Sequence, residues 1–299
     1  MIKNIPLLSS YSLIKKGKVL LLLREEYKDF LLQKGIEDLE TFIKRYQGTS
    51  RYFTGRTPHP SIPLANGNKM VLRQYSHGGL LRSITRNLYL FGSRSFQELA
   101  LTQEILSCGI PTIKPIGAIH RFVFTVFYKA YFLSLEIPQA INLKNFLQEI
   151  GSHPSYENLT LKRKIIQSAG HLLRQFHQAG FFHGDLQLKN ILVSGEQTFL
   201  IDFDRSYRKS ALSIQERMKN LLRLNRSVEK WKRFGLPITR TDQWRFFSAY
   251  AEGDMKIREA MKKVLRYYSI RSFFYQLGWA FEKIVRSLEF GVGSKIIPN

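Results

Sequence analysis

The chain has 299 residues, of which 44% are hydrophobic and 13% aromatic, enough to bury the core of one or two domains. Lysine and arginine total 46 against 23 aspartate and glutamate residues, and the net charge of +23 predicts an anionic partner: nucleic acid, phospholipid headgroups or a phosphorylated substrate. The single cysteine, Cys108, excludes an internal disulfide, and with no signal peptide or apolar stretch of about 20 residues visible, we expect a cytoplasmic protein without a transmembrane segment.

Strands and helices alternate in the first half of the chain. Apolar periodicity predicts strands at 18–23, 69–75, 122–128 and 131–135, and helices at 27–33, 36–46 and 94–108. The glycine-bounded loop 48–55 is either a lid over nucleotide phosphates or a plain turn. Residues 57–67 contain three prolines and predict an exposed loop.

The second half is predicted to be mostly helical. Helices are expected at 143–150, 160–178, 214–234, 241–250 and 255–286, and residues 151–159 are expected to form a polar loop. Strands 191–193 and 198–201 interrupt them and are joined by a turn at Ser194-Gly195.

The most informative stretch is 181–205, FFHGDLQLKNILVSGEQTFLIDFDR, which surrounds the short strands. The hairpin brings Asp185, Asn190 and Asp202 to one edge. Phosphoryl transfer needs oxygen ligands for Mg²⁺ and, beside them, a carboxylate that acts as a base. The spacing H-G-D-x-x-x-x-N followed by D-F-D matches the kinase pattern H-R-D-x-x-x-x-N followed by D-F-G. On this pattern Asp185 is the base, Asn190 and Asp202 bind the metal, and His183 braces the loop. The alternative is a polar hairpin whose acids only cap turns.

Two departures from the protein-kinase pattern bear on the acceptor. Gln187 stands where protein kinases commonly have lysine, and no A-P-E sequence follows Asp204. A protein substrate needs an activation segment to dock on, so a small-molecule or glycolipid acceptor fits better.

In kinases, a cationic side chain on a strand contacts the α- and β-phosphates of the nucleotide and pairs with a glutamate on a helix. Arg73 is the candidate cation, with Lys69 as the alternative, and Glu98 is favoured over Glu104 as its partner. Glu136 and Ile137 are candidates for binding adenine through main-chain atoms. The expected lobes are 1–136, with the nucleotide-covering loop, and 137–299, with the metal site.

The C-terminal stretch 255–286 interleaves basic and aromatic residues. Such a helix either lies at an anionic lipid surface or is an ordinary helix with its aromatic residues in a core.

Several blocks resemble the lipopolysaccharide kinase family, most closely its 3-deoxy-D-manno-octulosonic acid (Kdo) kinase branch. They are VLRQYSHGGLLR (71–82), FQELALTQEILSCGIPTIKPIGA (96–118), HGDLQLKNIL, LIDFDRS and NLLRLNRSVEK (220–230). The first and last are the more specific to the branch. The resemblance implies an α+β, two-lobed protein-kinase-like fold with an antiparallel-sheet N-lobe and a mostly helical C-lobe. It also implies ATP with Mg²⁺ and transfer to a Kdo hydroxyl of a lipid-anchored precursor. It also supports Arg73 over Lys69 as the strand cation.

Three functions remain open at this point. The first is a Kdo kinase, peripheral on the cytoplasmic face of the inner membrane, with heptose as the acceptor in a sister branch. The second is a kinase of the aminoglycoside or choline type. The third is a catalytically silent protein that binds anionic lipid or nucleic acid; retention of Asp185, Asn190 and Asp202 argues against it, so nucleic acid is not the expected partner.

Overall fold

A computed structural model describes residues 9–46, 60–76, 88–90, 94–123 and 127–263. Residues 1–250 form one compact unit and residues 251–299 a second. The predicted lid at 48–55 and most of the predicted helix at 255–286 lie outside the described residues; the described part of the second unit carries a helix at 255–263.

The N-terminal part of the first unit is an antiparallel sheet in the order β1-β2-β6-β7-β4-β3, with β5 paired to β7. The strands are β1 (Tyr11–Lys16), β2 (Val19–Arg24), β3 (Ser61–Pro63), β4 (Lys69–Gln74), β5 (Tyr89–Leu90), β6 (Pro115–Phe122) and β7 (Phe127–Leu135). Helices α1 (Glu25–Gln33), α2 (Leu39–Tyr46) and α3 (Arg94–Ser107) accompany it.

Helices cover both faces of this sheet, which explains the uninterrupted apolar run VLLLL in β2. Leu21 and Leu23 belong to the core that includes Leu31 of α1. Leu22, which points to the opposite face, belongs to the core that includes Phe96 of α3. Because successive strand residues alternate between faces, a strand buried on both sides is apolar throughout.

The C-terminal part of the first unit is mostly helical, as predicted. Its helices are α4 (Leu143–Ile150), α5 (Tyr156–Gln178), α6 (Ile214–Arg233) and α7 (Arg240–Ala251). Two small sheets lie among them, formed by β8 (Ile141–Asn142), β10 (Ile191–Ser194) and β11 (Gln197–Leu200), and by β9 (Phe181–Phe182) and β12 (Tyr207–Arg208). A Cβ built at Gly170 of α5 would lie 2.6 Å from the Phe246 carbonyl oxygen, so glycine permits the close approach of α5 and α7.

Three predicted boundaries were wrong. Strand β6 ends at Phe122 and its antiparallel partner β7 begins at Phe127, so the segment predicted to be one strand contains the end of one strand and the start of another. An unbroken aromatic and β-branched run carries no turn signal. Within the predicted exposed loop, Ser61–Pro63 pairs with β4 and its first two residues are buried. Helix α5 begins before residue 160, where Ser155 caps it by accepting from the Asn158 N–H.

Among the described residues, no helix combines the length and apolar character needed to cross a membrane.

Candidate active site

Backbone hydrogen bonds bring the catalytic-loop candidates and the metal-ligand candidates together. Strands β10 and β11 pair from Ile191↔Leu200 to Ser194↔Gln197, so the residues before β10 lie beside those after β11. The Ile201 N–H donates to the Asn190 carbonyl at 3.0 Å. The Asn190 Nδ2 donates to the Asp185 carbonyl at 2.8 Å. Asp185, Asn190 and Asp202 are therefore held on adjoining, directly bonded segments.

His183 is buried and joins both segments. The Asp185 N–H donates to its Nδ1 at 3.1 Å, so the imidazole proton is on Nε2, which donates to the Ile201 carbonyl at 3.1 Å. Burial lowers the pKa of His183, outweighing the opposite effect of the Asp202 carboxylate. A neutral ring in one fixed tautomer can brace the loop, as its predicted role requires.

Gly184 replaces the arginine of the H-R-D pattern, and the structure gives a steric reason. A Cβ at this position would lie 2.6 Å from the carbonyl oxygens of Asp204 and Arg205. Since Gly184 also donates its N–H to Ser206 Oγ at 2.9 Å, the two segments pack backbone to backbone here. Only glycine allows this approach.

Asp185 has two side-chain partners. Gln187 Nε2 donates to Oδ2 at 2.8 Å, and Arg223 of α6 donates to Oδ1 through Nη2 at 2.6 Å and Nε at 3.2 Å. The Asp185 side chain remains 45% exposed, so a substrate hydroxyl can reach it. Arg223 supplies a cation beside Asp185 in a chain where Gln187 replaces the usual lysine.

Arg73 joins three elements through its planar guanidinium. Its Nη2 donates to Glu98 Oε1 of α3 at 2.5 Å, and its Nη1 donates to Asp202 Oδ1 at 2.6 Å. Tyr75 donates its hydroxyl to Glu98 Oε2. The structure thus brings the favoured pair together. Of the alternatives, Lys69 has an exposed side chain, and Glu104 forms an ion pair with Arg208 at 2.6 Å.

Burial and the nearby opposite charges have opposing effects on the pKa values of Arg73, Glu98 and Asp202. Burial raises the pKa of Glu98, although the adjacent Arg73 opposes the rise. For Asp202, burial also favours the neutral acid, but the charge and hydrogen bond of Arg73 prevail and the pKa is lowered. The two carboxylates raise the pKa of Arg73 well above its usual value against the effect of burial. Asp202 is therefore held ionised.

The oxygen atoms of Asn190 and Asp202 suit Mg²⁺. Within the described part of the chain, Asn190 Oδ1 and Asp202 Oδ2 accept no hydrogen bond, and both are hard oxygen donors of the kind that Mg²⁺ prefers. Asp202 adopts a left-handed φ of 66°, which is uncommon for a non-glycine residue and directs this carboxylate. No group of three or more His, Cys, Asp or Glu side chains able to hold a metal occurs among the described residues.

A second carboxylate–guanidinium pair lies beside the first. Arg94, at the start of α3, donates from Nε and Nη2 to both oxygens of Asp204. Its guanidinium also lies 5.2 Å from the centre of the Tyr89 ring. Helix α3 is thus bound to the D-F-D segment through Glu98 and through Arg94.

The adenine-contact candidates lie where the large sheet ends. The Glu136 N–H donates to the Lys69 carbonyl at 2.8 Å, and its carboxylate accepts from Ser61 Oγ. The Ile137 carbonyl accepts from the Ala140 N–H at 3.2 Å. The Glu136 N–H is therefore committed to the sheet, and the Ile137 carbonyl is committed to a local turn.

Sequence reasoning missed four residues of this site: Tyr75, Arg94, Asn220 and Arg223. Asn220 is buried and bonds to both backbone groups of His183, accepting from its N–H at 3.2 Å and donating to its carbonyl at 2.8 Å. The sequence did point to the region of Asn220 and Arg223, because both lie in the block 220–230, one of the two blocks more specific to the Kdo kinase branch. Residues 77–82 of the resembling block 71–82 lie outside the described residues.

The comparisons with known proteins agree with one another. A sequence model described as the lipopolysaccharide kinase (Kdo/WaaP) family matches residues 61–250. The chain is 34% identical over 173 residues to a 3-deoxy-D-manno-octulosonic acid kinase of Haemophilus influenzae, covering 55% of this chain and 67% of the relative. It is 35% identical over 174 residues to the enzyme of that name from Pasteurella multocida, with coverages of 55% and 67%.

A solved structure described as WaaP in complex with acyl carrier protein matches with a TM-score of 0.55 and 18% identity, covering 84% of this chain and 97% of the other. The similarity concerns the fold alone. The predicted kinase-like α+β fold, with an antiparallel N-terminal sheet and a helical C-terminal part, is confirmed.

Proposed function

Because the chain belongs to the lipopolysaccharide kinase (Kdo/WaaP) family, we propose that it transfers the γ-phosphoryl group of ATP to a hydroxyl of Kdo in the lipopolysaccharide inner core. Relatives at 34–35% identity carry the name of that activity. One observation carries the proposal: direct hydrogen bonds and the Arg73 bridge join the segments that hold Asp185, Asn190 and Asp202.

Asp185 is the proposed general base. Its carboxylate is partly exposed and oriented on both oxygens by Gln187 and Arg223, so it can accept the proton of an acceptor hydroxyl while its position stays fixed. His183 holds the main chain of this loop through a neutral ring. A carboxylate oxygen can accept more than one hydrogen bond, so the charge of Arg223 can remain next to the reacting groups when a hydroxyl binds Asp185.

Asn190 and Asp202 are the proposed Mg²⁺ ligands. Bound there, Mg²⁺ would neutralise the charge of the triphosphate. Arg73, held by Glu98, is the proposed cation for the α- and β-phosphates. Main-chain atoms of Glu136 and Ile137 are the proposed adenine contacts, at the boundary between an N-lobe of 1–136 and a C-lobe of 137–299.

The charge of +23 supports an acidic acceptor on a phosphorylated lipid. We place the protein on the cytoplasmic face of the inner membrane, bound peripherally to its anionic surface, because basic residues near a membrane each contribute about 1 kcal/mol of attraction.

Mass spectrometry tests the function directly. The protein is incubated with ATP, Mg²⁺ and a Kdo-bearing lipid A precursor, and fragment ions locate any added phosphate. We expect a gain of one phosphate on Kdo. Asp185→Asn should lower the rate by a factor of about a thousand or more, because the base is lost while the shape is kept. Asp29→Asn, an exposed change on α1, is the matched control and should leave the rate unchanged.

If the phosphate were located on heptose, heptose would be the acceptor in place of Kdo, and the protein would still be a sugar kinase. Full activity of Asp185→Asn would refute the assignment of the base. Absence of transfer by the unaltered protein, with transfer to soluble amines or alcohols, would favour the aminoglycoside- or choline-type kinase.

A further inference from the structure

Three lysine side chains surround the indole of Trp231 on α6. The ammonium groups of Lys144, Lys189 and Lys230 lie 4.9, 5.2 and 5.7 Å from the ring centre. The four residues come from α4, the turn before β10, and α6. We call these four residues the Trp231 cluster. Each cation–π contact is favourable alone, but three like charges around one ring repel one another.

Two of these lysines form no ion pair with a carboxylate in the part of the chain that the structure describes. Lys144 donates to the neutral side-chain oxygens of Asn145 and Gln148. Lys230 has no ion pair with a carboxylate among the described residues, and neighbouring Glu229 is paired with Lys232 at 3.6 Å. A concentration of positive charge on an aromatic platform is suited to bind an anion with more than one negative charge.

The Trp231 cluster lies on the same face of α6 that contacts the loop carrying Asp185. Residues 223, 227 and 231 are spaced by four and share one face of α6. Arg223 bonds to Asp185, the Ser227 hydroxyl accepts from the Leu188 N–H at 3.2 Å, and Trp231 contacts Lys189. Eight residues span about 12 Å along a helix axis. The cluster is therefore about 12 Å along α6 from the contact with the proposed base.

We propose that the Trp231 cluster binds a phosphate group of the acceptor lipid while the acceptor hydroxyl lies at Asp185. The inference rests on the proposed function and adds a second contact for the same substrate. Phosphate monoesters carry between one and two negative charges at neutral pH, and lysine binds them as a mobile point charge. The same phosphate chemistry could come from a neighbouring anionic phospholipid, and the test separates the two sources.

The test uses a deacylated, water-soluble Kdo acceptor with its phosphates, and the same acceptor after phosphatase treatment, both without vesicles. Lys144→Gln/Lys230→Gln removes two charges of the cluster and leaves Lys189, next to Asn190, in place. We expect a KM for the phosphorylated acceptor at least tenfold higher than that of the unaltered protein, with kcat and the KM for ATP unchanged, and no effect on the dephosphorylated acceptor. Lys15→Gln/Lys18→Gln, exposed changes on the first hairpin with equal charge loss, should have no effect.

Calorimetric binding of the same two acceptors gives a readout that does not depend on transfer. Tighter binding of the phosphorylated form, lost in the double variant, would support the subsite even if no phosphate were transferred, which would refute only the proposed activity. Equal effects of the double variant on both acceptors would overturn the proposal. So would unchanged kinetics with reduced sedimentation on phosphatidylglycerol vesicles, because that result assigns the cluster to the membrane lipid.

Discussion

Arg73 contributes a planar fork as well as a charge. It bonds to Glu98 with one terminal nitrogen and to Asp202 with the other, so two carboxylates from different elements share one cation. A lysine ammonium carries equal charge but cannot reproduce this two-sided geometry. The arginine at this strand position therefore fits a site in which the proposed phosphate-binding cation also connects α3 to the D-F-D segment.

Arg73→Lys should keep the fold and lower kcat/KM for ATP by about ten- to a hundredfold, the equivalent of one charge-assisted hydrogen bond. Initial rates over a range of ATP concentrations measure the effect. Lys69→Gln, on the same strand with an exposed side chain, is the control and should retain normal rates. The reverse result, with Lys69→Gln impaired and Arg73→Lys normal, would return the role to Lys69.

Helix α6 supports the catalytic loop through the amide of Asn220. This amide bonds to the His183 N–H and carbonyl, and its Oδ1 also lies 3.0 Å from His177 Nε2. Because Oδ1 is an acceptor, His177 donates from Nε2 and its Nδ1 accepts from the Tyr250 hydroxyl at 2.7 Å. One side chain thus satisfies buried polar groups of two segments.

Asn220→Ala should lower the melting temperature by about 5–10 °C, because unsatisfied buried polar groups cost about 1–3 kcal/mol each. Differential scanning calorimetry measures the shift. Lys219→Ala, at the preceding exposed position of the same helix, is the control. Equal melting temperatures for the two variants would show that water replaces the amide without cost.

Patterns in short stretches of sequence predicted those helices, strands and turns whose formation depends on interactions between residues close together in the chain. The proximity of Asp185, Asn190 and Asp202 follows from one short hairpin, so it could be predicted from the sequence. The start of α5 depends on a cap by Ser155, and the loop prediction extended past it. The contacts of Asn220 and Arg223 join residues 37 and 38 positions apart, and no periodicity encodes such tertiary pairs.

On the scale of the whole molecule, stability should depend on buried neutral histidines. Burial lowers the pKa of His120 and of His177 to about 4. Below pH 6.5 the unfolded chain takes up protons at these rings while the folded chain does not, so the free energy of unfolding decreases as pH falls. Each ring should account for about 2 kcal/mol between pH 6.5 and pH 5.

His120→Phe isolates one of these contributions. The His120 ring stacks on Phe96 with centres 4.0 Å apart, and its buried Nε2 has no hydrogen-bond partner among the described residues. Phenylalanine keeps the stacking and removes the titration. Urea unfolding at pH 6.5 and pH 5 should show a decrease smaller by about 2 kcal/mol than in the unaltered protein. His153→Phe, at an exposed position, should show the original decrease. An unchanged pH dependence in His120→Phe would contradict the assignment.

The line of contacts from Tyr250 through His177 and Asn220 to His183 has a practical consequence for anyone who shortens this protein. The catalytic motif ends near residue 204 and the resembling blocks end at residue 230, so a cut soon after α6 would look harmless from the sequence. Such a cut would remove the Tyr250 hydroxyl that donates to His177. It would thereby weaken the contacts of His177 with Asn220 and of Asn220 with the His183 backbone, which lies beside Asp185. A shortened form intended for crystallisation should therefore retain the chain through Tyr250.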